Sequence, residues 1–169
     1  MNTLDVESAY AQMRDSIAAA LPAAREGLCV VGVHSGGVWV AERLRHDLNL
    51  HGPTGTLSSA FHRDDYSRRG LPAELKSTRL AFEVEGADIL LVDDILFTGR
   101  TVRAALNEIF DYGRPARVRL AVLIDRGGRE LPVAADFCGL RHELPVDQAF
   151  VLSRDDSGRF ALVIESSAA

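Results

Sequence analysis

The sequence has little sulfur and few aromatic side chains, with two cysteines, two methionines and one tryptophan among 169 residues. Cys29 and Cys138 lie in apolar runs without metal-ligand spacing, so we expect two buried, reduced thiols in a cytoplasmic protein. No apolar run approaches the roughly 20 residues of a membrane span, and the acidic first residues do not resemble a secretory signal. A net charge of −5 argues against wholesale binding of nucleic acid, although it leaves room for a local basic patch.

Length and composition predict one globular domain over residues 1–169, since 47% hydrophobic and 25% charged residues are ordinary for such a protein. The hydrophobic pattern predicts that this domain is of the α/β class. Predicted helices cover 5–20, 38–48 and 101–112, and predicted strands cover 28–34, 56–61, 89–92, 118–124 and a hairpin at 148–153 and 159–165. The basic, polar segment 62–80 is predicted as a long mobile loop. Alternating strands and helices indicate a parallel sheet, whose ligands bind at the carboxyl ends of strands. Three loops therefore become candidates, at 35–37, 93–101 and 125–129.

The strongest chemical pattern is a run of nine residues, Asp93-Asp94-Ile95-Leu96-Phe97-Thr98-Gly99-Arg100-Thr101. Two adjacent carboxylates end a predicted buried strand, where unpaired charge is costly, so they need donors such as two vicinal hydroxyls or a hydrated cation. The Thr-Gly-Arg-Thr that follows opens a helix, whose N–H groups and dipole favour a phosphate, and Gly99 permits the backbone conformation of such a cradle. The pattern indicates ribose 5-phosphate. The alternative is a threonine that only caps the helix, beside two solvated carboxylates.

Residues 89–101 resemble the signature with which type I phosphoribosyltransferases bind 5-phosphoribosyl-1-pyrophosphate (PRPP): four hydrophobic residues, two acids and a Thr-Gly loop. The run LAVLIDRGGRELP at 120–132, together with Gly113-Arg114-Pro115, narrows the resemblance to the PyrR family of bifunctional pyrimidine-operon attenuators and uracil phosphoribosyltransferases. Residues 62–67 are similar to that family's Arg-Asp-Asp flap segment. The resemblance covers roughly residues 28 to 152.

The resemblance implies a type I phosphoribosyltransferase fold: a central parallel sheet flanked by helices, a small hood from the N-terminal segment and about residues 130–169, and a mobile flap hairpin at about 61–84. It implies that Asp93 and Asp94 hold the ribose hydroxyls, and that residues 98–101 hold the 5-phosphate. A uracil nitrogen then displaces pyrophosphate from C1, through a cationic transition state that needs positioning and charge stabilisation more than a strong base. Mg²⁺ accompanies PRPP, held mainly by substrate and water and not by a protein cage.

Two further residues gain expected roles from the resemblance, each with an open alternative. Arg126, just past the third buried strand, is expected to contact the uracil or the nucleotide; otherwise it is a surface arginine paired with Asp125 or Glu130. Phe150 is expected to cover the base from the hood, or to be ordinary core.

The flap arginines, Arg63, Arg68 and Arg69, are expected to close over pyrophosphate and exclude water. The alternative is a merely solvated polar loop.

One segment departs from the family pattern. Where the family carries Thr-Arg-Gly to meet pyrophosphate, this chain has Ser35-Gly36-Gly37. Loss of a charge-assisted hydrogen bond of about 1.5–3 kcal/mol weakens binding or rate roughly 10- to 100-fold, although glycine N–H groups can form an anion nest. We expect a Gly36→Arg variant to gain activity if the missing arginine is a deficit.

The leading expectation is an enzyme that makes UMP from uracil and PRPP. A regulator that senses UMP or UTP and binds a leader messenger RNA is the second possibility, and a phosphoribosyltransferase for another base is the third. Because members of the family assemble as dimers or larger rings, we also expect a homodimer or larger homo-oligomer, without a membrane partner.

Overall fold

The computed structural model describes residues 4–21, 26–58 and 77–166. Within these ranges the helices are α1 (Val6–Ala20), α2 (Gly36–Asp47) and α3 (Arg100–Tyr112). The strands are β1 (Cys29–Val33), β2 (Thr54–Leu57), β3 (Arg79–Leu80), β4 (Asp88–Leu96), β5 (Arg117–Asp125), β6 (Phe137–Arg141), β7 (Gln148–Arg154) and β8 (Phe160–Ser166). The flap arginines Arg63, Arg68 and Arg69 lie outside the described residues, as does the end of the predicted strand 56–61.

A six-stranded sheet in the order β3-β2-β1-β4-β5-β6 forms the centre of the fold. All neighbouring pairs are parallel except β2 with β3, which is antiparallel. The predicted α/β class with a parallel central sheet is therefore confirmed. Strand β6 was not predicted, because a five-residue run that includes Gly139 gives no clear periodicity.

Helices cover both faces of this sheet, which explains why its central strands are apolar throughout. Alternate residues of β4 point to opposite faces, so Leu90 and Val92 join one core with α1 and α2, whereas Ile89 and Leu91 join a second core with α3. All four side chains are fully buried. The hairpin of β7 and β8, predicted from its two apolar runs, forms a separate two-stranded sheet that packs into the first core through Phe150, Leu152 and Phe160.

Three predicted boundaries around the candidate loops were wrong. Strand β4 does not end at Val92 but continues to Leu96, because its pairing with β5 extends to Leu96 opposite Asp125. Helix α2 begins at Gly36 and not at Val38, although glycine disfavours helices. Helix α3 begins at Arg100, one residue earlier than predicted.

Several segments assigned to the hood and the flap contact the main sheet. Strand β6 belongs to that sheet, and α1 packs on it and on β8, whereas the β7–β8 hairpin forms a sheet of its own; the bounds of a hood stay a prediction. The last residues of the expected flap are core or sheet, since Arg79 and Leu80 pair with β2 and Val84 is buried. Among the described residues, no helix has the length and apolar character to cross a bilayer.

Candidate active site

The carboxyl end of β1 lies beside the second half of β4, because Gly32 pairs with Val92 in the parallel register. The segment after β1 and the end of β4 therefore meet at one edge of the sheet, as the rule for parallel sheets predicts. The structure thus brings together two of the three loops singled out in the sequence. The third, which follows β5, joins them because Leu96 pairs with Asp125.

The start of α2 packs directly on the acidic pair. A Cβ atom added to Gly36 would lie 2.1 Å from Oδ2 of Asp94 and 2.9 Å from its Cβ atom. At Gly37 an added Cβ atom would lie 2.5 Å from the carbonyl oxygen of Val92. Both glycines are therefore required for this approach, which places the N–H groups of a helix start beside two carboxylates.

This contact favours the opposite prediction for Gly36→Arg. Any side chain at position 36 must displace the Asp94 carboxylate, because a carbon and an oxygen atom that are not covalently bonded cannot approach to 2.1 Å. The expected gain of activity becomes an expected loss. Ser35 is the N-cap residue of α2, and residues 35–37 form the first turn of a helix in place of an irregular loop.

The two carboxylates differ in burial. Asp93 is 2% exposed, and its Oδ1 accepts a hydrogen bond of 2.9 Å from the backbone N–H of Asp94. Asp94 is half-buried and faces the start of α2. The pair offers carboxylate oxygens at the sheet edge, which suits hydroxyl donors or a hard cation.

A turn of three residues, Phe97–Gly99, connects β4 to α3. Gly99 adopts the left-handed conformation at φ 93° as the N-cap of α3, a conformation that other residues rarely adopt. Thr98 is 4% exposed, and its hydroxyl oxygen accepts a hydrogen bond of 3.2 Å from the N–H of Arg100. The first N–H groups of α3 thus follow the acidic pair after a short turn, and such a helix start favours a phosphate.

Not every residue of the run 93–101 presents its side chain to the site. The guanidinium of Arg100 donates to Glu130 at 2.7 and 3.0 Å, and its expected part in phosphate binding stays a prediction. Leu96 is 1% exposed in the second core, and Ile95 packs against the first. These two residues are strand residues and not part of the turn.

Arg126 is buried, 6% exposed, at the carboxyl end of β5. Its guanidinium carbon lies 3.7 Å from the centre of the Phe97 ring, and its Nη2 donates to the carbonyl oxygen of Pro145 at 3.3 Å. Its Nε has no hydrogen-bond partner among the described residues. Burial lowers the pKa of Arg126, because a charged group loses hydration there.

The surface alternative for Arg126 was therefore wrong. The two acids expected to pair with it have other partners: Asp125 is bound by Arg129 and Glu130 by Arg100. A buried guanidinium with an unsatisfied Nε is costly unless a ligand accepts from it.

Phe150 is a core residue, 8% exposed, as the alternative interpretation had it. Its ring meets the ring of His142 edge to face, with centroids 5.9 Å apart. His142 follows β6, and its N–H donates to the carbonyl oxygen of Asp125 at 2.9 Å. The hairpin thus reaches the same end of the sheet as Arg126 through an aromatic contact.

Sequence reasoning missed Arg129. This residue binds both carboxylate oxygens of Asp125, at 2.6 and 2.7 Å, and also donates to the carbonyl oxygens of Phe97 and Val133. The signal was available, since Asp125 and Arg129 stand four residues apart in a turn with two glycines. Burial raises the pKa of Asp125, but hydrogen bonds from Arg129 and from the N–H of Gly127 together outweigh it and hold the pKa below its usual value.

Comparison with known proteins agrees with this geometry. The family model of the phosphoribosyl transferase domain matches residues 5–152. A protein of Ralstonia nicotianae named bifunctional protein PyrR is 54% identical over 132 residues, 78% of this chain and 75% of that protein. Another of the same name, from Syntrophobacter fumaroxidans, is 40% identical over 99% of this chain and 92% of its own length.

Solved structures support the same fold. A hypoxanthine-guanine phosphoribosyltransferase of Bacillus anthracis superposes with a TM-score of 0.66 at 18% identity, covering 86% of this chain and 85% of its own. A corresponding enzyme from Leishmania tarentolae gives 0.62 at 20% identity, covering 85% and 82%.

Fold, site and family model together define the chain as a member of the phosphoribosyl transferase family. Within that family it belongs to the PyrR proteins, as its identity of 54% and 40% to two relatives, over 75% and 92% of their lengths, demonstrates. The resemblance drawn from the sequence is thereby confirmed.

Proposed function

We propose that the chain transfers the phosphoribosyl group of PRPP to uracil and forms UMP and pyrophosphate. One observation carries the proposal: the start of α2 packs against Asp93 and Asp94, and the strand that carries this pair leads through the turn Phe97–Gly99 directly into the start of α3. Each helix start offers N–H groups to an anion, and the carboxylates between them accept from hydroxyls. PRPP has the matching order of groups, with a phosphate, a diol and a pyrophosphate.

Each part of PRPP is assigned to a segment of this edge. The 5-phosphate binds the turn Phe97–Gly99 and the first N–H groups of α3, and the ribose hydroxyls donate to Asp93 and Asp94. The pyrophosphate is assigned to the start of α2, where the N–H groups at the helix start stand in place of the arginine that the family usually carries, although Gly36 and Gly37 are themselves buried. Binding at three places fixes C1 for attack, which supplies much of the catalysis through positioning.

The base is assigned to the side of the site formed by Arg126. Its buried Nε needs an acceptor, and uracil offers two carbonyl oxygens. The Phe97 ring beneath the guanidinium holds it in place through a cation–π contact. In the transfer, a uracil nitrogen forms a bond to C1 while the bond from C1 to pyrophosphate breaks. The proton of that nitrogen is released to solvent or to pyrophosphate.

Magnesium is proposed to enter with the substrate. Among residues 4–21, 26–58 and 77–166, no three or more His, Cys, Asp or Glu side chains converge to form a cage. The carboxylate oxygens of Asp93 and Asp94 are of the type that Mg²⁺ accepts, and they fit a cation that keeps most of its ligands from water and pyrophosphate. Bound there, the cation would neutralise charge on the departing pyrophosphate.

Incubation of the purified protein with radiolabelled uracil, PRPP and Mg²⁺ tests this proposal. We expect labelled UMP to appear, and its yield to require PRPP. The same assay with hypoxanthine and guanine addresses base choice. Transfer to either purine in place of uracil would contradict the uracil assignment while leaving the PRPP site intact, and transfer to no base would contradict the activity.

The word "bifunctional" in the name of the relatives favours a second activity. We propose that UMP or UTP in the same pocket changes the affinity of the chain for a pyrimidine-operon leader RNA. Such binding should weaken with added salt, because it depends on phosphate contacts. Filter binding of a leader transcript with and without UMP, across a salt series, tests it; affinity for RNA that UMP leaves unchanged would contradict the regulatory role.

A further inference from the structure

The turn Phe97–Gly99 turns its carbonyl groups towards the segment that follows β5. The carbonyl oxygen of Thr98 accepts from the N–H groups of Glu130 and Leu131, at 2.9 and 3.0 Å. The carbonyl oxygen of Phe97 accepts from Nη1 of Arg129. Both oxygens are therefore fixed on one side of the turn.

The planarity of the peptide unit also determines the direction of the N–H groups in this turn. In a planar trans peptide unit the N–H points opposite to the C=O of the preceding residue. Fixing the carbonyl groups of Phe97 and Thr98 on the side of residues 129–131 aims the N–H groups of Thr98 and Gly99 the opposite way. That is the direction an anion cradle requires.

Three residues accept hydrogen bonds from the guanidinium of Arg129: Phe97, Asp125 and Val133. Both oxygens of Asp125 accept from its Nη2, at 2.6 and 2.7 Å, and the carbonyl oxygen of Val133 accepts from its Nε at 3.0 Å. A guanidinium can satisfy this set because its donors form a rigid planar fork, which a lysine ammonium does not offer. The side chain thus ties the end of β5 to the turn after β4.

The turn is also pressed against this segment. A Cβ atom at Gly99 would lie 3.3 Å from the Cβ atoms of Leu131 and Val133. An added Cβ at Gly128 would lie 2.4 Å from Cε2 of Phe97. Packing and hydrogen bonds therefore act together, and among the side chains of this segment Arg129 supplies the charged donor.

We propose that Arg129 is a positioning residue for the phosphate of PRPP: by binding the carbonyl oxygen of Phe97 while held by Asp125, it orients the N–H groups of the phosphate-binding turn. The inference rests on the proposed function, because it assigns that turn to the 5-phosphate. Arg129 need not touch the substrate in this role. Its loss should therefore affect the phosphate end of PRPP and leave the uracil end unchanged.

The test compares Arg129→Met and Arg129→Lys with a matched control, Arg119→Met. Arg119 also joins β5 to β4 through an ion pair, with Asp88 at 3.2 Å, but at the opposite end of the two strands. Binding of ribose 5-phosphate is measured by calorimetry, together with KM for PRPP and for uracil. Circular dichroism and thermal unfolding report whether each variant folds.

We expect Arg129→Met to weaken ribose 5-phosphate binding and to raise KM for PRPP by about 10-fold or more, the effect of losing one charge-assisted hydrogen bond. KM for uracil should change less than about 2-fold, within the small effect of a change away from the site. Arg129→Lys should recover part of the loss, since lysine retains the charge without the fork. Arg119→Met should bind ribose 5-phosphate as the unchanged protein does.

Two results would overturn the inference, and they are distinguishable. If Arg129→Met binds ribose 5-phosphate as tightly as Arg119→Met, Arg129 has no positioning role, although the proposed transferase function stands. If the unchanged protein does not bind ribose 5-phosphate, the assignment of the turn fails, and the positioning role fails with it. Should Arg129→Met not fold, the folded Arg129→Lys variant decides: unaltered ribose 5-phosphate affinity there would contradict the role.

Discussion

The α-carbon of Gly36 lies so close to Asp94 that even a single methyl group on it would overlap the carboxylate. The first turn of α2 and the end of β4 are thus in direct contact, across the parallel pairing of β1 with β4. Glycine at this position permits the start of α2 and the acidic pair to share one small region. The same contact determines what a substitution there will do.

Gly36→Ala should lower phosphoribosyl transfer by about 10-fold or more, because the displaced Asp94 loses a charge-assisted hydrogen bond to the ribose. Gly27→Ala is the matched control, since a Cβ atom at Gly27 meets nothing within 4 Å. Initial rates of UMP formation measure the effect. Activity of Gly36→Ala equal to that of Gly27→Ala would mean that Asp94 can move without cost.

The double change Asp93→Asn and Asp94→Asn should reduce transfer by at least about 100-fold, because two acceptors for the ribose hydroxyls lose their charge. The amides keep the shape of the side chains, so the fold should survive. Asp88→Asn, at the other end of the same strand, serves as the control. Turnover close to that of the unchanged protein in the double variant would place the ribose elsewhere.

Arg126→Met should raise KM for uracil by about 10- to 100-fold, since the buried donor proposed to bind the base is removed while its volume is kept. KM for PRPP should change little. The control is Arg114→Met, which also removes an arginine stacked on a phenylalanine ring, here the exposed Phe110. Equal KM values for uracil in both variants would exclude Arg126 from base recognition.

A network between α1, α2 and β8 should make stability depend on pH. Glu7 accepts from Arg43 at 2.7 and 2.8 Å and from the N–H of Phe160 at 2.8 Å. Hydrogen bonds from Arg43, opposed by burial, lower the pKa of Glu7 below its ordinary value of 4.5. A lowered carboxyl pKa stabilises the folded chain above the unfolded-state value, and this contribution is lost as pH falls through the folded-state value.

Glu7→Gln should therefore reduce the free energy of unfolding by about 1 kcal/mol at pH 7, a modest value because the pair is partly solvated. The difference from the unchanged protein should shrink below about pH 4. Glu42→Gln is the control, because Glu42 pairs with Arg154 on the open surface. Denaturant unfolding at pH 7 and below about pH 4 measures the free energy of unfolding of each variant. If the difference between Glu7→Gln and the unchanged protein grew on acidification, the stabilising role of the Glu7 carboxylate would be contradicted.

Much of the site could be predicted from the sequence because the chemistry is local in the chain. The run from Asp93 to Thr101 carries its carboxylates, its turn glycine and its helix start within nine residues, so the ribose-phosphate hypothesis needed no tertiary contact. Family membership and fold class followed and are confirmed. The expected roles of individual residues, the oligomeric state and the cytoplasmic location stay predictions, and the flap arginines lie outside the described residues.

Other features could not be predicted, because they depend on residues far apart in the chain. The sequence placed Arg126 after a strand but could not decide whether its side chain lies at the surface or in the interior. The structure shows it buried, with its guanidinium over the Phe97 ring and bonded to the carbonyl oxygen of Pro145. From the sequence, Gly36 was interpreted only as the residue that replaces an arginine of the family. Its close packing on Asp94, which excludes a side chain, became visible only in the structure. Strand β6 and the role of Arg129 likewise depend on pairing with elements distant in sequence.

Taken alone, the amino-acid order was enough for the ribose-phosphate hypothesis, because a strand end, a turn and a helix start are neighbours in the chain and their residue types suit an anion and a diol. The tertiary structure determined which residues from other segments of the chain pack around this run. Burial, close approach of glycine and the direction of carbonyl groups arise only when parallel strands bring separate loops to one edge.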